Sequence, residues 1–228
     1  MHRLFLFDID GTLVWTGDAG DRSLTRAIKN LYGVDDVMSA IMPHGKTDPI
    51  IVREILKGFL KRDDVPRSEV DRVLEEYLRL LPQEVKESEN YHVLKGVFEC
   101  LDYLKTDERN ILALATGNLE RGSRIKLERA GLNEYFEFGG FASDCEERDK
   151  ILAIAKQKAE SAVKTAIPND AVFVIGDTPR DIIACRQNGF RMIAVASGPF
   201  SFDELAKEKP EFLLESLEKI AGLPLRCL

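Results

Sequence analysis

The sequence predicts an α/β fold in which a doubly wound parallel sheet carries an all-helical insertion after its first strand. The first strand, Leu4 to Phe7, is an unbroken apolar run, which is typical of a strand buried on both faces of a parallel sheet. Residues 18–88 carry helical patterns only, whereas the later chain alternates strands and helices in the rhythm of right-handed crossovers. We therefore predict a core domain of residues 1–15 and 90–228 and a helical domain of residues 16–89.

Three helices are predicted within the insertion. The first has apolar residues at helical spacing and ends at Gly33. The second is PIIVREILKGFL, with Thr47 or Asp48 as its cap and Pro49 in its first turn. The third, EVDRVLEEYLRLL, runs toward Pro82.

Strands and helices alternate in the rest of the chain. The predicted strands are NILALAT, a weaker FEFGGFA, AVFVIGD and RMIAVAS. The predicted helices are VFECLDYLK, residues 119–130, ERDKILAIAKQKAESAVK and PRDIIACRQNG. A short apolar FLLE and a last helix follow in the tail. Ligand sites in such sheets lie at the carboxyl ends of the strands.

The composition and the net charge argue against several classes of binding partner. The chain has 228 residues and a formal net charge of -7, which argues against nucleic acid or an anionic membrane as a partner. No segment has the layout of a signal peptide or the length of a membrane span, so we expect a cytoplasmic protein. The cysteines form no metal or disulfide pattern and are expected to be reduced thiols: Cys100, Cys145, Cys185 and Cys227.

Two carboxylates, Asp8 and Asp10, follow the first strand directly. At a strand end this spacing lets both lie on the same side of the chain, where one attacks or holds a metal ion and the other handles a proton. A solvated turn is the alternative, since Asp and Gly are common in turns. We favour a catalytic or metal-binding role, because the pair lies where a buried sheet meets its crevice.

Two further strands end in polar groups of the same kind. One ends in Thr116, Gly117 and Asn118, and another ends at Asp177, with Asp181 one helical turn further on. Each of these alone is more often a helix cap, but together they meet at one edge of the sheet. Acids gathered in one crevice repel each other unless a divalent cation lies between them, and oxygen ligands suit magnesium. We therefore predict a Mg²⁺ site in a phosphoryl-transfer centre.

The motifs DIDGTL, TGN and VIGDTPRD resemble, in this order, those of the haloacid dehalogenase superfamily, and the helical insertion resembles that superfamily's cap domain. With GKTD added, the set looks most similar to the phosphoglycolate phosphatase-like hydrolases. The resemblance implies Mg²⁺-dependent hydrolysis of a small phosphomonoester, for example phosphoglycolate, through an aspartyl-phosphate. It also implies a small phosphorylated metabolite as the partner.

The resemblance also implies a role for each motif residue. Asp8 would be the nucleophile, and Asp10 would protonate the leaving oxygen, later activate water and contact the metal through its main-chain carbonyl. The side chains of Asp8 and Asp177 would ligate Mg²⁺, while Asp181 would steady the ligands. The non-transferring phosphoryl oxygens would be held by Thr116 and by backbone amides around Gly117 and Asn118.

The sequence leaves two questions about basic residues open: which one binds the phosphate, and whether Lys46 contacts the substrate. The lysine followed by proline that is usual in the family's third loop is absent, and SDCEERDK offers Arg148 or Lys150 instead. We prefer Arg148, because a guanidinium can bond a phosphoryl oxygen and a carboxylate at once. In the HGKTD loop, Lys46 is a candidate contact for an acidic substrate group, with a solvent-facing lysine as the alternative.

Several activities compete with the phosphatase prediction. Asp10 favours phosphate esters over halides, because an alkoxide leaving group needs a proton and a halide does not. A phosphomutase of the β-phosphoglucomutase type and a pyrophosphate or nucleotide phosphatase are the alternatives within the same chemistry. A signalling receiver domain is disfavoured by the chain length and the helical insertion, and an idle scaffold is disfavoured by the complete set of acids.

Overall fold

A six-stranded parallel sheet organises the chain in the computed structural model, which describes residues 1–35 and 37–225. The strand order across the sheet is β5-β4-β1-β6-β7-β8, and a separate antiparallel pair joins β2 to β3. The strands are β1 Arg3–Phe7, β2 Val14–Trp15, β3 His92–Val93, β4 Asn110–Ala115, β5 Gly139–Gly140, β6 Val172–Gly176, β7 Arg191–Val195 and β8 Phe212–Leu214. The predicted doubly wound α/β fold is confirmed.

Eight α-helices are present in the described part of the chain. They are α1 Ala19–Tyr32, α2 Asp48–Leu60, α3 Arg67–Glu87, α4 Val97–Lys105, α5 Glu120–Glu128, α6 Arg148–Val163, α7 Pro179–Gln187 and α8 Phe202–Lys207. Four 3-10 segments occupy Met38–Ala40, Leu132–Tyr135, Asn169–Ala171 and Leu217–Gly222, so the predicted last helix is a 3-10 segment. None of the helices among these residues is both long and apolar enough to cross a membrane.

Residues Leu4–Phe7 of strand β1 are fully buried on both faces of the sheet, as their apolar sequence predicts. Side chains alternate along a strand, so Phe5 and Phe7 enter the hydrophobic layer on one face while Leu4 and Leu6 enter the layer on the other. The Phe5 ring stacks on Phe173 of β6 with centroids 5.0 Å apart. These two layers hold the sheet rigidly, and the carboxyl end of β1 is fixed with it.

The inserted helices α1, α2 and α3 bury a third apolar cluster of their own, which includes Ile28, Leu56 and Leu81. The division into residues 1–15 with 90–228 and residues 16–89 stays a prediction. Helix α3 does not stop at Pro82, as the sequence suggested, but continues to Glu87. Pro82 lacks the N–H of a backbone hydrogen bond within the helix, and the segment after it is held against α1 by ion pairs of Glu84 with Arg22 and Arg26.

The weak strand predicted around FEFGGFA is reduced to the two glycines of β5. Helix α6 packs directly against these glycines. A Cβ at Gly140 would come within 2.2 Å of the Ile151 carbonyl oxygen, so a larger residue would not fit there. Among the predicted thiols, Cys100, Cys145 and Cys185 are free, and Cys227 lies outside the described residues.

Candidate active site

Three neighbouring strands bring their carboxyl ends together at one point of the sheet. Strand β1 pairs with β4 on one side and with β6 on the other, so Phe7 lies opposite both Leu114 and Ile175. The residues that follow these strands therefore meet around one cavity of about 150 Å³. Its lining includes every predicted site residue except Asp181, together with side chains of the helical insertion.

Asp8 is buried at the end of β1 and faces a guanidinium. Its Oδ2 lies 3.0 Å from Nη2 of Arg148, the first residue of α6. Burial raises the pKa of Asp8 to about 6; the charge of Arg148 opposes this shift, and the nearby Asp181 and Asp10 add to it. A buried carboxylate held by one arginine is suited to act as a nucleophile toward an electrophile that enters from the cavity.

Arg148 and Lys150 point in different directions, since residues two apart on a helix lie on nearly opposite sides. Arg148 is buried and its Nε donates to Asp181 Oδ1 at 2.8 Å. Lys150 is exposed and pairs with Glu147 on the surface. Of the two basic candidates, only Arg148 reaches the acids at the end of β1.

Asp177 provides a free oxygen for a cation. It is fully buried, and its Oδ1 accepts a hydrogen bond from Thr12 Oγ1 at 3.0 Å. Its buried Oδ2 has no hydrogen-bond partner among the described residues, which is costly unless a ligand completes the site. Burial raises the pKa of Asp177, and the charges of Asp8 and Asp181 raise it further. A cation between these carboxylates would remove that repulsion.

The donor set suits a small hard cation. Oxygen atoms of Asp8, Asp177 and Asp181 lie within 4.8 Å of one another. Gly11 and Gly198 pack closely against Asp177. A Cβ at either position would come within 2.3 Å of Asp177 Oδ2, so neither position has room for a side chain. Oxygen-only ligands from acidic side chains fit Mg²⁺. The residues present therefore fit the predicted ion.

Asp181 belongs to the same acidic cluster, but protein groups already bind both of its oxygens. Oδ1 accepts from Arg148, and Oδ2 accepts from the backbone N–H of Thr178 at 3.0 Å and from the Thr178 hydroxyl at 2.8 Å. The bond from the Thr178 N–H, with the return bond from the Asp181 N–H to the Thr178 hydroxyl oxygen, forms a capping box at the start of α7. This arrangement is consistent with the predicted supporting role of Asp181.

The loop after β4 lies beside Asp8. The Thr116 side chain lowers the pKa of the Asp8 carboxyl, and its hydroxyl accepts a hydrogen bond from Asn118 Nδ2 at 2.9 Å. Gly117 leaves no room for a side chain, since a Cβ there would lie 2.4 Å from the Lys46 carbonyl oxygen. The glycine thus lets the loop of the helical insertion close down on the β4 loop.

The two predicted helix caps bind other loops instead. Thr47 Oγ1 donates to the Glu146 carbonyl at 3.1 Å, and Asp48 Oδ2 accepts from the Leu119 N–H at 2.8 Å. Neither side chain makes the predicted cap hydrogen bond at the start of α2. The HGKTD loop is therefore tied to the loops that follow β4 and β5.

Lys46 lines the cavity, but its ammonium pairs with Glu54 of α2. Trp15 lines the same cavity. The predicted contact between Lys46 and substrate stays a prediction.

Lys126 on α5 lies at the site although the sequence motifs did not predict it. Its Nζ lies 2.7 Å from Asp10 Oδ2 and 2.7 Å from Asn118 Oδ1. Burial alone would lower the pKa of Lys126, but Asp10, Tyr77 and Asp48 together outweigh burial and raise it. The available signal was position: Lys126 follows Asn118 by about two helical turns and shares a face with the small residue Gly122.

We expect Asp48→Asn to stabilise the metal-free protein at neutral pH. Burial raises the pKa of Asp48 to about 6, against 3.8 for the ordinary carboxyl, while Lys126 and the Leu119 N–H oppose the shift. The unfolded chain therefore loses this proton first, and the ionised carboxylate costs folding free energy above pH 4. The gain from Asn should grow between pH 4 and about pH 6 and reach as much as about 3 kcal/mol.

Urea unfolding of the variant and wild type in chelator, at pH 4.5 and pH 7.5, measures this gain. Asp64→Asn is the matched control, because Asp64 is exposed. A gain that is the same at both pH values would contradict the assignment.

Comparisons with known proteins support one family. The family model for haloacid dehalogenase-like hydrolases matches residues 5–195. Phosphoglycolate phosphatase 1 of Pseudomonas aeruginosa is 26% identical over 230 residues, which cover 96% of this chain and 79% of that protein. A hydrolase from Pseudomonas syringae superposes with a TM-score of 0.75 at 18% identity and 97% coverage of both chains. CbbY from Rhodobacter sphaeroides, in complex with phosphate, has a TM-score of 0.75 at 19% identity, covering 98% of this chain and 99% of its own.

Proposed function

This chain belongs to the haloacid dehalogenase-like hydrolases and is an enzyme of the phosphatase type; we propose that it hydrolyses a small phosphomonoester through an aspartyl-phosphate on Asp8, with Mg²⁺. The observation that carries this proposal is the separation of the two carboxylates after β1. Asp8 faces Arg148, whereas Asp10 faces Asn118 and Lys126. These different partners suit different roles, with Asp8 as the nucleophile and Asp10 as the group that transfers protons.

In the first step, a carboxylate oxygen of Asp8 attacks phosphorus while the bond from phosphorus to the ester oxygen breaks. The electron pair of that bond goes to the leaving oxygen, which takes a proton from Asp10. Arg148 and the Thr116–Asn118 loop hold the phosphoryl oxygens that do not react. In the second step, Asp10 takes a proton from water, the water oxygen attacks phosphorus, and Asp8 is released with inorganic phosphate.

Asp8 and Asp177 would hold Mg²⁺ through their side chains and Asp10 through its main-chain carbonyl, with Asp181 steadying them. The ion would supply positive charge that offsets the repulsion between an anionic nucleophile and an anionic phosphate. The unpartnered oxygen of Asp177 supports this assignment.

A small substrate is favoured by the cavity. Its volume of about 150 Å³ is below the roughly 300–1,000 Å³ that is typical of pockets for drug-sized ligands. Phosphoglycolate is the first ester to test, because a relative of this chain is named phosphoglycolate phosphatase 1. The cytoplasmic location also stays a prediction.

The test is phosphate release from pyrophosphate and from a panel of phosphate esters that includes phosphoglycolate, p-nitrophenyl phosphate, a sugar phosphate and a nucleoside monophosphate. We expect turnover of at least one small ester that needs Mg²⁺ and stops with chelator. Turnover of a sugar phosphate only after addition of a sugar bisphosphate would instead identify a phosphomutase. A preference for pyrophosphate or the nucleotide would replace the small ester as substrate, and no turnover at all would contradict the proposal.

A further inference from the structure

Lys126 is a buried lysine at the active site that has no role in the two proposed chemical steps. Only 6% of its side chain is exposed, and its ammonium bonds to Asp10 and Asn118. Burying an ammonium group is expensive unless every charge is paired, and an apolar residue of similar length would fill the same volume at lower cost. A role at Asp10 would explain why the position holds a lysine.

Two donors converge on one oxygen of Asp10. Lys126 Nζ lies 2.7 Å from Oδ2, and Asn118 Nδ2 lies 2.8 Å from the same atom. Oδ1 accepts no hydrogen bond from the residues that the structure describes, and the Asp10 side chain, which lines the cavity, is 41% exposed. An oxygen that accepts two N–H bonds cannot also carry a proton directed at the cavity. Oδ1 is therefore the Asp10 oxygen that is left to deliver a proton into the cavity.

The surroundings keep the ammonium in place. A Cβ at Gly20 of α1 would lie 3.6 Å from Lys126 Nζ, so the start of α1 closes over the ammonium. The Lys126 main-chain carbonyl accepts a hydrogen bond from Tyr91 Oη at 2.8 Å. At Gly122, one turn earlier on α5, a Cβ would be within 3.8 Å of Leu78 and Tyr77 of α3. The lysine is thus enclosed by packed elements on several sides.

We propose that Lys126 is a positioning residue which, together with Asn118, holds Oδ2 of Asp10 and so directs Oδ1 toward the leaving group. The inference rests on the proposed function. When the bond from phosphorus to the ester oxygen breaks, the electron pair stays on that oxygen, which takes the Oδ1 proton. Lys126 itself transfers no proton and keeps its hydrogen bond to Oδ2 throughout.

The test is Lys126→Met, assayed with two leaving groups. Nitrophenolate is a weak base and leaves without a proton, whereas an alkoxide needs one. We expect kcat/KM for an alkyl phosphate to fall by roughly 10- to 100-fold, while kcat/KM for p-nitrophenyl phosphate changes by less than about threefold. Because kcat/KM reports only steps up to the first irreversible one, it isolates the attack by Asp8. The ratio of the two values does not depend on how much of the sample is folded.

A double-mutant cycle separates positioning from general packing. Asp10→Asn should show the same selective loss, and Lys126→Met should cause no further loss in the Asp10→Asn background. Lys156→Met is the matched control, since Lys156 pairs with Glu160 on α6 and leaves the site untouched.

Equal losses for both leaving groups, or additive losses in the double variant, would overturn the positioning role while leaving the phosphatase proposal intact. A wild-type enzyme that hydrolyses neither ester would refute the proposed function and the inference with it.

Discussion

Asp8→Asn is expected to lower kcat/KM by roughly four to six orders of magnitude, the size of loss seen when a covalent nucleophile is removed. An amide has nearly the same shape as the carboxylate but cannot form the acyl-phosphate. The fold should persist, because Asp8 is buried and its pKa is raised to about 6 by that burial, so a neutral side chain is tolerated there. Phosphate release from p-nitrophenyl phosphate at saturating Mg²⁺ measures the effect.

Asp64→Asn serves as the control for this variant, since Asp64 is exposed on the surface. Mass spectrometry of wild type quenched in acid during turnover should find one phosphoryl group on the peptide that contains Asp8. Residual activity above about 1% in Asp8→Asn, without reversion, would argue that another residue attacks phosphorus.

Arg148→Met is expected to reduce kcat/KM by roughly 10³-fold, the range seen when a positioned charge on a reacting oxyanion is lost. The arginine is buried between Asp8 and Asp181, and its loss leaves two buried carboxylates without their cation. Removing one member of a buried ion pair typically costs about 3–5 kcal/mol of stability, so the midpoint of urea unfolding should fall as well. Kinetics and urea unfolding of the same preparation measure both effects.

Lys150→Met is the matched control, because Lys150 lies two residues away on the same helix and pairs with Glu147 at the surface. Its activity and stability should stay close to those of wild type. If Lys150→Met were the more damaging change, the basic phosphate ligand would be Lys150, and the assignment to Arg148 would be wrong.

The acids at the strand ends could be found from the sequence because their placement follows from local rules. An unbroken apolar run such as Leu4–Phe7 requires burial on both faces, and burial on both faces requires a parallel sheet covered by helices. The residue after each such strand then lies at the ligand-binding edge. Asp8, Thr116 and Asp177 meet there as the sequence predicted.

The sequence by itself therefore determined the order of helices and strands, the parallel sheet and the acids at its edge, because side-chain periodicity and burial are properties of neighbouring residues. Only the tertiary structure decided the partners of the long basic side chains. Arg148 reaches Asp8 because α6 begins there, Lys46 turns to Glu54, and Lys126 crosses to Asp10. A flexible charged side chain can reach several acids, and which one it contacts depends on how distant elements pack.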